Sequence, residues 1–311
     1  MSRNFGLGSR VMADAGRMAL DRAADRGEVS FSTAATQADR WAIFSAWLKA
    51  EGINRMEHIT RETVTAYGQG LAAQVRAGEL APATAQNYVS AVNSVMALAT
   101  RGQWQSVSPT KECDIEQRSS IRAEAPGAID RARYGDALNQ VRGQLGVRAA
   151  AVVELARELG LRSKEGSLLN ARAALAQAER TGSVAISEGT KGGLERTVSI
   201  TTPSQMHALQ RAAQAQGKAR AVMPPNASWK EWREGTLRDA REIVQSGTQG
   251  GLHDLRSAYA CDRYETMTGH MAPCAGGQIR DRGSDQAARQ EIAQELGHGR
   301  AEIVAEYVGG R

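Results

Sequence analysis

With 311 residues, 41% of them hydrophobic and 23% charged, the chain has the makeup of a soluble globular protein and the length of two compact domains. A net charge of +5 and a pI near 9.3 permit a polyanionic partner without requiring one. Three cysteines (Cys113, Cys261, Cys274) with no CxxC pair argue against a disulfide scaffold or a thiolate zinc site, and the lack of a signal-type segment or any apolar run of about 18 residues points to a cytoplasmic protein without a membrane partner.

Residues 1–30 are polar, rich in Arg and Asp, and carry a helical rhythm at Val11, Met12, Met18 and Leu20; they are expected to be an N-terminal arm or a helix packed on another element. From Ser32 to Arg101 the period is helical throughout. Thr33 or Thr36 opens a helix whose apolar face carries Trp41, Phe44, Trp47 and Leu48, with Gly52 as its stop. A second helix fits 60–76 on Val64, Tyr67, Leu71 and Val75. Pro82 and Thr84 open a third, with Tyr88, Val92, Val95 and Met96 on one face and Gly102 at its end. Residues 31–103 therefore read as a small all-helical domain, and 104–127, with Pro109, Pro126 and no clear period, as a linker.

The second domain, 128–311, begins with helices over 128–145 and 147–159, the latter closed by Gly160. The period then shifts: 184–186 and 197–200 look like two short strands joined through the glycine-rich turn 189–193. Helices return at 203–216, 229–245 and 252–266, followed by a Gly-rich insertion at 269–283 and a last helical stretch at 286–296. The expected fold class is mainly α with a small antiparallel β-sheet, a helical domain followed by a mixed α/β domain.

Five segments of the second domain place a basic or nucleophilic residue beside a structural break. Arg162 follows the helix-ending Gly160, and Lys191 sits on the turn between the strands. His253 and Arg256 are three apart, on one face of a helix's first turns. Leu296-Gly297-His298 follows the last helix, and Tyr307 lies nine residues beyond that histidine. Singly, each has a plain reading: a solvated arginine, a solubilising lysine, a helix-end pair bonded to an acid such as Asp254, an amphipathic tyrosine anchor.

Taken together and in this order, Arg162, Lys191, His253-x-x-Arg256, Leu-Gly-His298 and Tyr307 resemble the tyrosine recombinase family, which includes phage integrases and the Xer and Cre proteins. Glu165 three after the first arginine, Thr190 before the lysine and the phrase His-Asp-Leu-Arg agree with it. The helical first domain is similar to that family's core-binding domain, with Pro82-Ala-Thr84-x-x-Asn-Tyr88 opening its last helix; the likeness spans about 32–308. It implies a core-binding domain plus a tyrosine recombinase catalytic domain. The implied activity is site-specific DNA strand exchange through a 3′-phosphotyrosine at Tyr307, in the setting of a mobile element. Arg162, Lys191, His253, Arg256, His298 and Tyr307 would be the catalytic set, with no cofactor and no metal. The implied partners are double-stranded DNA attachment sites and a homotetramer over two of them, with room for accessory DNA-bending proteins.

Elementary chemistry agrees. Attack on a phosphodiester builds negative charge, and with no acidic cluster suited to a magnesium pair, protein cations must stabilise it. Arg162 and Arg256 offer planar forks to the non-bridging oxygens, and His298 adds a donor. Ionising an ordinary tyrosine at pH 7 costs about 4 kcal/mol, which neighbouring positive charge lowers. The resemblance assigns His253 to general-base or orienting work. Lys191 is placed to protonate the leaving 5′-oxygen, and Glu165 is expected to brace the site. The covalent link conserves bond energy, so no nucleotide is needed, and no GxxxxGK[ST] loop is present.

The sequence departs from the family in one stretch. Arg256 and His298 are farther apart than the family usually places them, the excess being 269–285, near which lie His270, Cys261 and Cys274. A mobile loop touching DNA or a neighbouring subunit is the expectation there, against a metal clip. With Tyr307 four residues from the sequence end, subunit exchange is expected to use another element, residues 1–30. Three other readings stay open: a type IB topoisomerase or telomere resolvase, a non-catalytic DNA-binding relative, and metal-dependent hydrolysis through His253, His270 and His298.

Overall fold

In the computed structural model, which describes residues 3–310, the chain forms two compact units, up to Arg118 and from Ser119 onward. Residues 1, 2 and 311, the outermost positions of the expected arm and catalytic domain, lie outside the described residues.

The first unit is all helical, with α1 (Met12–Asp25), α2 (Phe31–Ala50), α3 (Arg61–Arg76) and α4 (Pro82–Ala99). Ser30 caps α2 by accepting from the Thr33 N–H, Thr60 caps α3 in a reciprocal box with Thr63, and Pro82 occupies the first turn of α4. Trp41, Phe44, Leu48, Tyr67, Val92 and Met96 share one buried core, with the Phe44 and Tyr67 rings 4.8 Å apart. Within residues 3–30, Met12, Ala15, Leu20 and Ala24 belong to that core. The indole of Trp41 donates to the Met12 carbonyl at 2.7 Å, and a side chain at Gly16 would collide with that indole. The apolar face of α1 packs inside the unit through Met12, Ala15, Leu20 and Ala24.

The segment read as a linker is ordered and split between the units. Val107, Cys113 and Ile115 are buried in the first core, and Asn93 Oδ1 accepts from both the Trp104 indole and the Val107 N–H at 3.0 Å. Such a segment has no sequence period because side-chain caps, not a backbone ladder, satisfy it.

The second unit is mainly helical around a two-stranded sheet. Its elements are α5 (Arg131–Leu145), α6 (Val147–Leu159), α7 (Ser163–Leu168), α8 (Ala171–Thr181), β1 (Ser183–Ile186), β2 (Arg196–Ser199), α9 (Pro203–Gln216), α10 (Trp229–Glu234), α11 (Thr236–Thr248), α12 (Leu252–Thr268), α13 (Arg282–Leu296) and α14 (Ala305–Val308). The strands pair antiparallel, Val184 opposite Val198 and Ile186 opposite Arg196. The stretch expected as one helix over 229–245 is two, broken at Gly235, whose backbone departs from helical angles. The helix expected over 286–296, α13, starts already at Arg282, where Asp281 accepts from the Ser284 N–H, so the end of the expected insertion is helical. Helix α6 is buried from Ala149 to Leu159 and α12 from Leu255 to Cys261; both run through the core and carry site residues at their ends. Among the described residues no helix is long and apolar enough to cross a membrane.

Candidate active site

Helix α6 ends at Gly160, in the left-handed region (φ +63°), where a Cβ would lie 2.5 Å from the Tyr259 ring. Only glycine fits both demands, and the turn delivers Arg162 to the start of α7. The Arg162 backbone N–H donates to Glu165 Oε2 at 2.7 Å and its Nη1 to Oε1 at 2.8 Å. About a quarter of its side chain stays open to solvent (24%), whereas Glu165 is wholly enclosed.

Glu165 also receives both terminal nitrogens of Arg196 from β2, at 2.8 and 2.5 Å, and Arg256 Nη1 lies 3.9 Å away. Burial alone would raise this carboxyl; the Arg196 fork and the Arg162 N–H and side chain outweigh it and hold the pKa down to about 2. Arg196 is itself buried and donates through Nε to the Glu295 carbonyl at 2.7 Å. Sequence reasoning passed over Arg196, although the alternation of β2 puts it on the buried face with Val198.

Arg256, fully buried on α12, donates from its two terminal nitrogens to the carbonyls of Gly160 and Leu296, while its Nε has no partner. Its guanidinium carbon lies 5.8 Å from the centre of the Tyr307 ring. Burial, opposed by Tyr307, brings its pKa down to about 10. His253, one turn earlier and exposed, has its ring 5.6 Å from that of Tyr307. Partial desolvation, then the charges of Arg256, Arg162 and Arg122, hold it below the ordinary histidine range.

His298 follows Gly297, which closes α13 in the left-handed conformation. Its Nε2 lies 2.9 Å from the Tyr307 hydroxyl. Desolvation, then the charges of Arg256, Arg162, Arg196 and Lys191, push its pKa down to about 4. Lys191 itself stands exposed on the single-turn helix Lys191–Gly193, in the loop 187–195 between the strands. Tyr307, on α14, is 2% exposed. The structure therefore brings His253, Arg256, His298 and Tyr307 together, with Arg162 beside them through Glu165, whereas no contact among the described residues places Lys191 with them.

Two further residues set that geometry. Arg122 bonds Asp254 and, at 3.1 Å, Ser257 through its side chain, while its backbone N–H donates to the Ala305 carbonyl at 2.9 Å. It thus ties the helix of His253 to the segment of Tyr307. Beneath them, Glu295 accepts from the Tyr259 hydroxyl at 2.7 Å and from Arg263 at 2.9 and 2.7 Å, fixing α13 to α12. No three His, Cys, Asp or Glu side chains converge as a metal site among the described residues.

The low His298 pKa carries a stability consequence. At about pH 7.5 and above the ring is neutral in both folded and unfolded chains; as pH falls through about 6.5 toward about 4 the unfolded chain takes up a proton that the folded one refuses. Stability should fall across that window by on the order of 2 kcal/mol from this group. Urea unfolding at about pH 7 and about pH 4.5 measures it, and His298→Gln should lose less between the two than wild type. Equal losses would mean that the ring is not held neutral.

Residues 117–262 match the integrase family model. A XerH site-specific recombinase bound to a palindromic difH substrate superposes with a TM-score of 0.60 at 13% identity, covering 96% of this chain and 81% of that one. The Tn1549 transposon integrase, in complex with transposon right end DNA, gives 0.59 at 10% identity and 95% of each chain. A lambda integrase tetramer bound to a Holliday junction gives 0.58 at 14% identity, over 94% and 77%. No curated protein matches in sequence. With the integrase match and this shared architecture, the chain carries the fold of the tyrosine recombinase, or phage integrase, family.

Proposed function

We propose that the chain is a site-specific DNA recombinase of the integrase kind, cutting and rejoining strands through a covalent bond between Tyr307 and a 3′-phosphate. The observation that carries this reading is the 2.9 Å approach of His298 Nε2 to the Tyr307 hydroxyl inside a ring of arginines. A neutral His298 can accept the tyrosine proton. Arg162, part open to solvent, and Arg256, with an unpartnered Nε, supply donors for the non-bridging oxygens of a phosphate. Their positive field, which after burial helps hold the pKa of both histidines down, is also the field that favours an incoming anion.

In this reading the phenolate attacks phosphorus, the 5′-oxygen leaves with a proton from Lys191, and His253 orients the phosphate. Reversal by the 5′-hydroxyl of a partner strand restores the backbone without a nucleotide or cofactor. The substrate is duplex DNA at attachment sites, the working assembly a homotetramer over two sites, and the setting a mobile element. The solved relatives bound to difH, transposon-end and Holliday-junction DNA support this.

Denaturing capture of tagged protein from its host, with sequencing of retained DNA, is the test. Wild type should retain DNA at one discrete sequence and Tyr307→Phe none, while both recover DNA under native conditions. Retention at many unrelated sequences would favour topoisomerase activity. Retention by neither, repeated on nicked trapping substrates, would leave a DNA-binding protein.

A further inference from the structure

The added length between α12 and α13 brings a second sulfur to the back of the Tyr307 segment. Cys261 on α12 and Cys274 in the single-turn helix Pro273–Ala275 have their Sγ atoms 3.6 Å apart, both nearly enclosed. Each sulfur also lies against the Tyr307 carbonyl oxygen, Cys261 at 3.7 Å and Cys274 at 3.6 Å. The stretch just beyond the tyrosine is seated on the same segment. Gly309 has φ +73°, and a Cβ there would lie 2.8 Å from Cys274 Cβ and 2.6 Å from the Arg122 carbonyl. Arg289 Nη2 donates to the Gly309 carbonyl at 2.8 Å. The thiol pair is thus part of the bed on which Tyr307 rests.

We propose that Cys261 and Cys274 form a reversible disulfide under peroxide, and that this covalent modification loosens the Tyr307 segment. Bonding needs the sulfurs to close from 3.6 Å to about 2.05 Å, a shift that a short loop on a long helix can absorb. In the dithiol one S–H can point at the Tyr307 carbonyl; in the disulfide neither sulfur has a hydrogen to donate, so that carbonyl loses its S–H donor. Cys274 is the first to react, because the hydrogen bond from Cys261 and then the Arg122 charge, against its burial, favour its thiolate. Its sulfur attacks one peroxide oxygen, forming a sulfenic acid and releasing hydroxide. The Cys261 sulfur then displaces the sulfenic oxygen, which leaves as water with the thiol proton. Two thiols and one hydrogen peroxide give one disulfide and two waters.

The link can be tested without DNA and independently of the recombinase reading, on which only the effect on cleavage depends. Full-length protein is reduced, exposed to hydrogen peroxide, quenched with catalase and unfolded for thiol counting. The count should fall from three to one, with loss of two hydrogens in the intact mass and a peptide link between 261 and 274. Cys113→Ser should still form the link, and Cys274→Ser should not. Hydrogen exchange over 303–309 should quicken several-fold on oxidation of wild type and stay unchanged in Cys274→Ser. On a captured target, oxidised wild type should cleave about five-fold more slowly than reduced, the size expected for one lost weak donor. Three surviving thiols, a gain of oxygen in place of hydrogen loss, or a link through Cys113 would each overturn the site. A link with unchanged exchange would overturn its coupling to Tyr307. A link with quickened exchange and no cleavage in either state would sustain the modification and defeat the recombinase reading instead.

Discussion

Glu165→Gln should destabilise the second unit by about 3–5 kcal/mol and lower its melting temperature by roughly 10 °C. Glu165 is wholly enclosed and takes the fork of Arg196, which is 3% exposed, together with two bonds from Arg162. Glutamine keeps the shape and one acceptor but removes the charge, leaving Arg196 buried without a counterion and Arg256 with one fewer negative neighbour. Removing one partner of a buried pair costs far more than the pair contributes, because the survivor stays desolvated. For that reason the double variant Glu165→Gln with Arg196→Met should recover about half of the loss. Urea and thermal unfolding of the full chain, followed by a probe in the second unit, measure both. A single-variant loss under about 1 kcal/mol, or a double variant worse than the sum of its parts, would show that Arg196 is not held by this charge.

Arg256→Lys should lower strand cleavage by about a thousand-fold while leaving DNA affinity within a few-fold. The guanidinium bonds the carbonyls of Gly160 and Leu296 at once and keeps Nε free beside Tyr307. A lysine preserves the charge but has one nitrogen, so it cannot hold both carbonyls and still face a phosphate. The two carbonyls close α6 and α13, the elements that deliver Arg162 and His298, so the substitution disturbs the spacing of the cluster as well as its charge. Single-turnover cleavage of a nicked substrate carrying the captured sequence, beside a binding titration, separates the effects. Cleavage within ten-fold of wild type would mean that Arg256 is a structural tie only; equal losses of binding and cleavage would place its role in holding DNA.

Among the candidate residues, Arg162, His298 and the His253–Arg256 pair carry local signatures that the sequence displays. Gly160 and Gly297 end helices and so mark Arg162 and His298, and a His-x-x-Arg pair on a helix start needs no tertiary information to share a face. Arg196 and Arg122 were not legible, for they look like surface arginines until Glu165 and Asp254 are seen beside them, at separations of 31 and 132 residues. The break between α10 and α11 was missed because the apolar period runs on across Gly235. Residues 103–118 were missed because their order depends on Asn93 and Arg61, which lie in earlier helices.

What the sequence determined by itself was the helical character of both units, the short strand pair and the order of the candidate site residues along the chain, since period and chain breaks are properties of neighbours in sequence. Tertiary structure alone decided that His298 meets the Tyr307 hydroxyl, that Glu165 anchors two arginines, that α1 is spent inside its own core, and that two cysteines 13 positions apart lie sulfur to sulfur behind the tyrosine. These are contacts between elements, set by how buried faces pack and how buried charges find partners, and no local period encodes them.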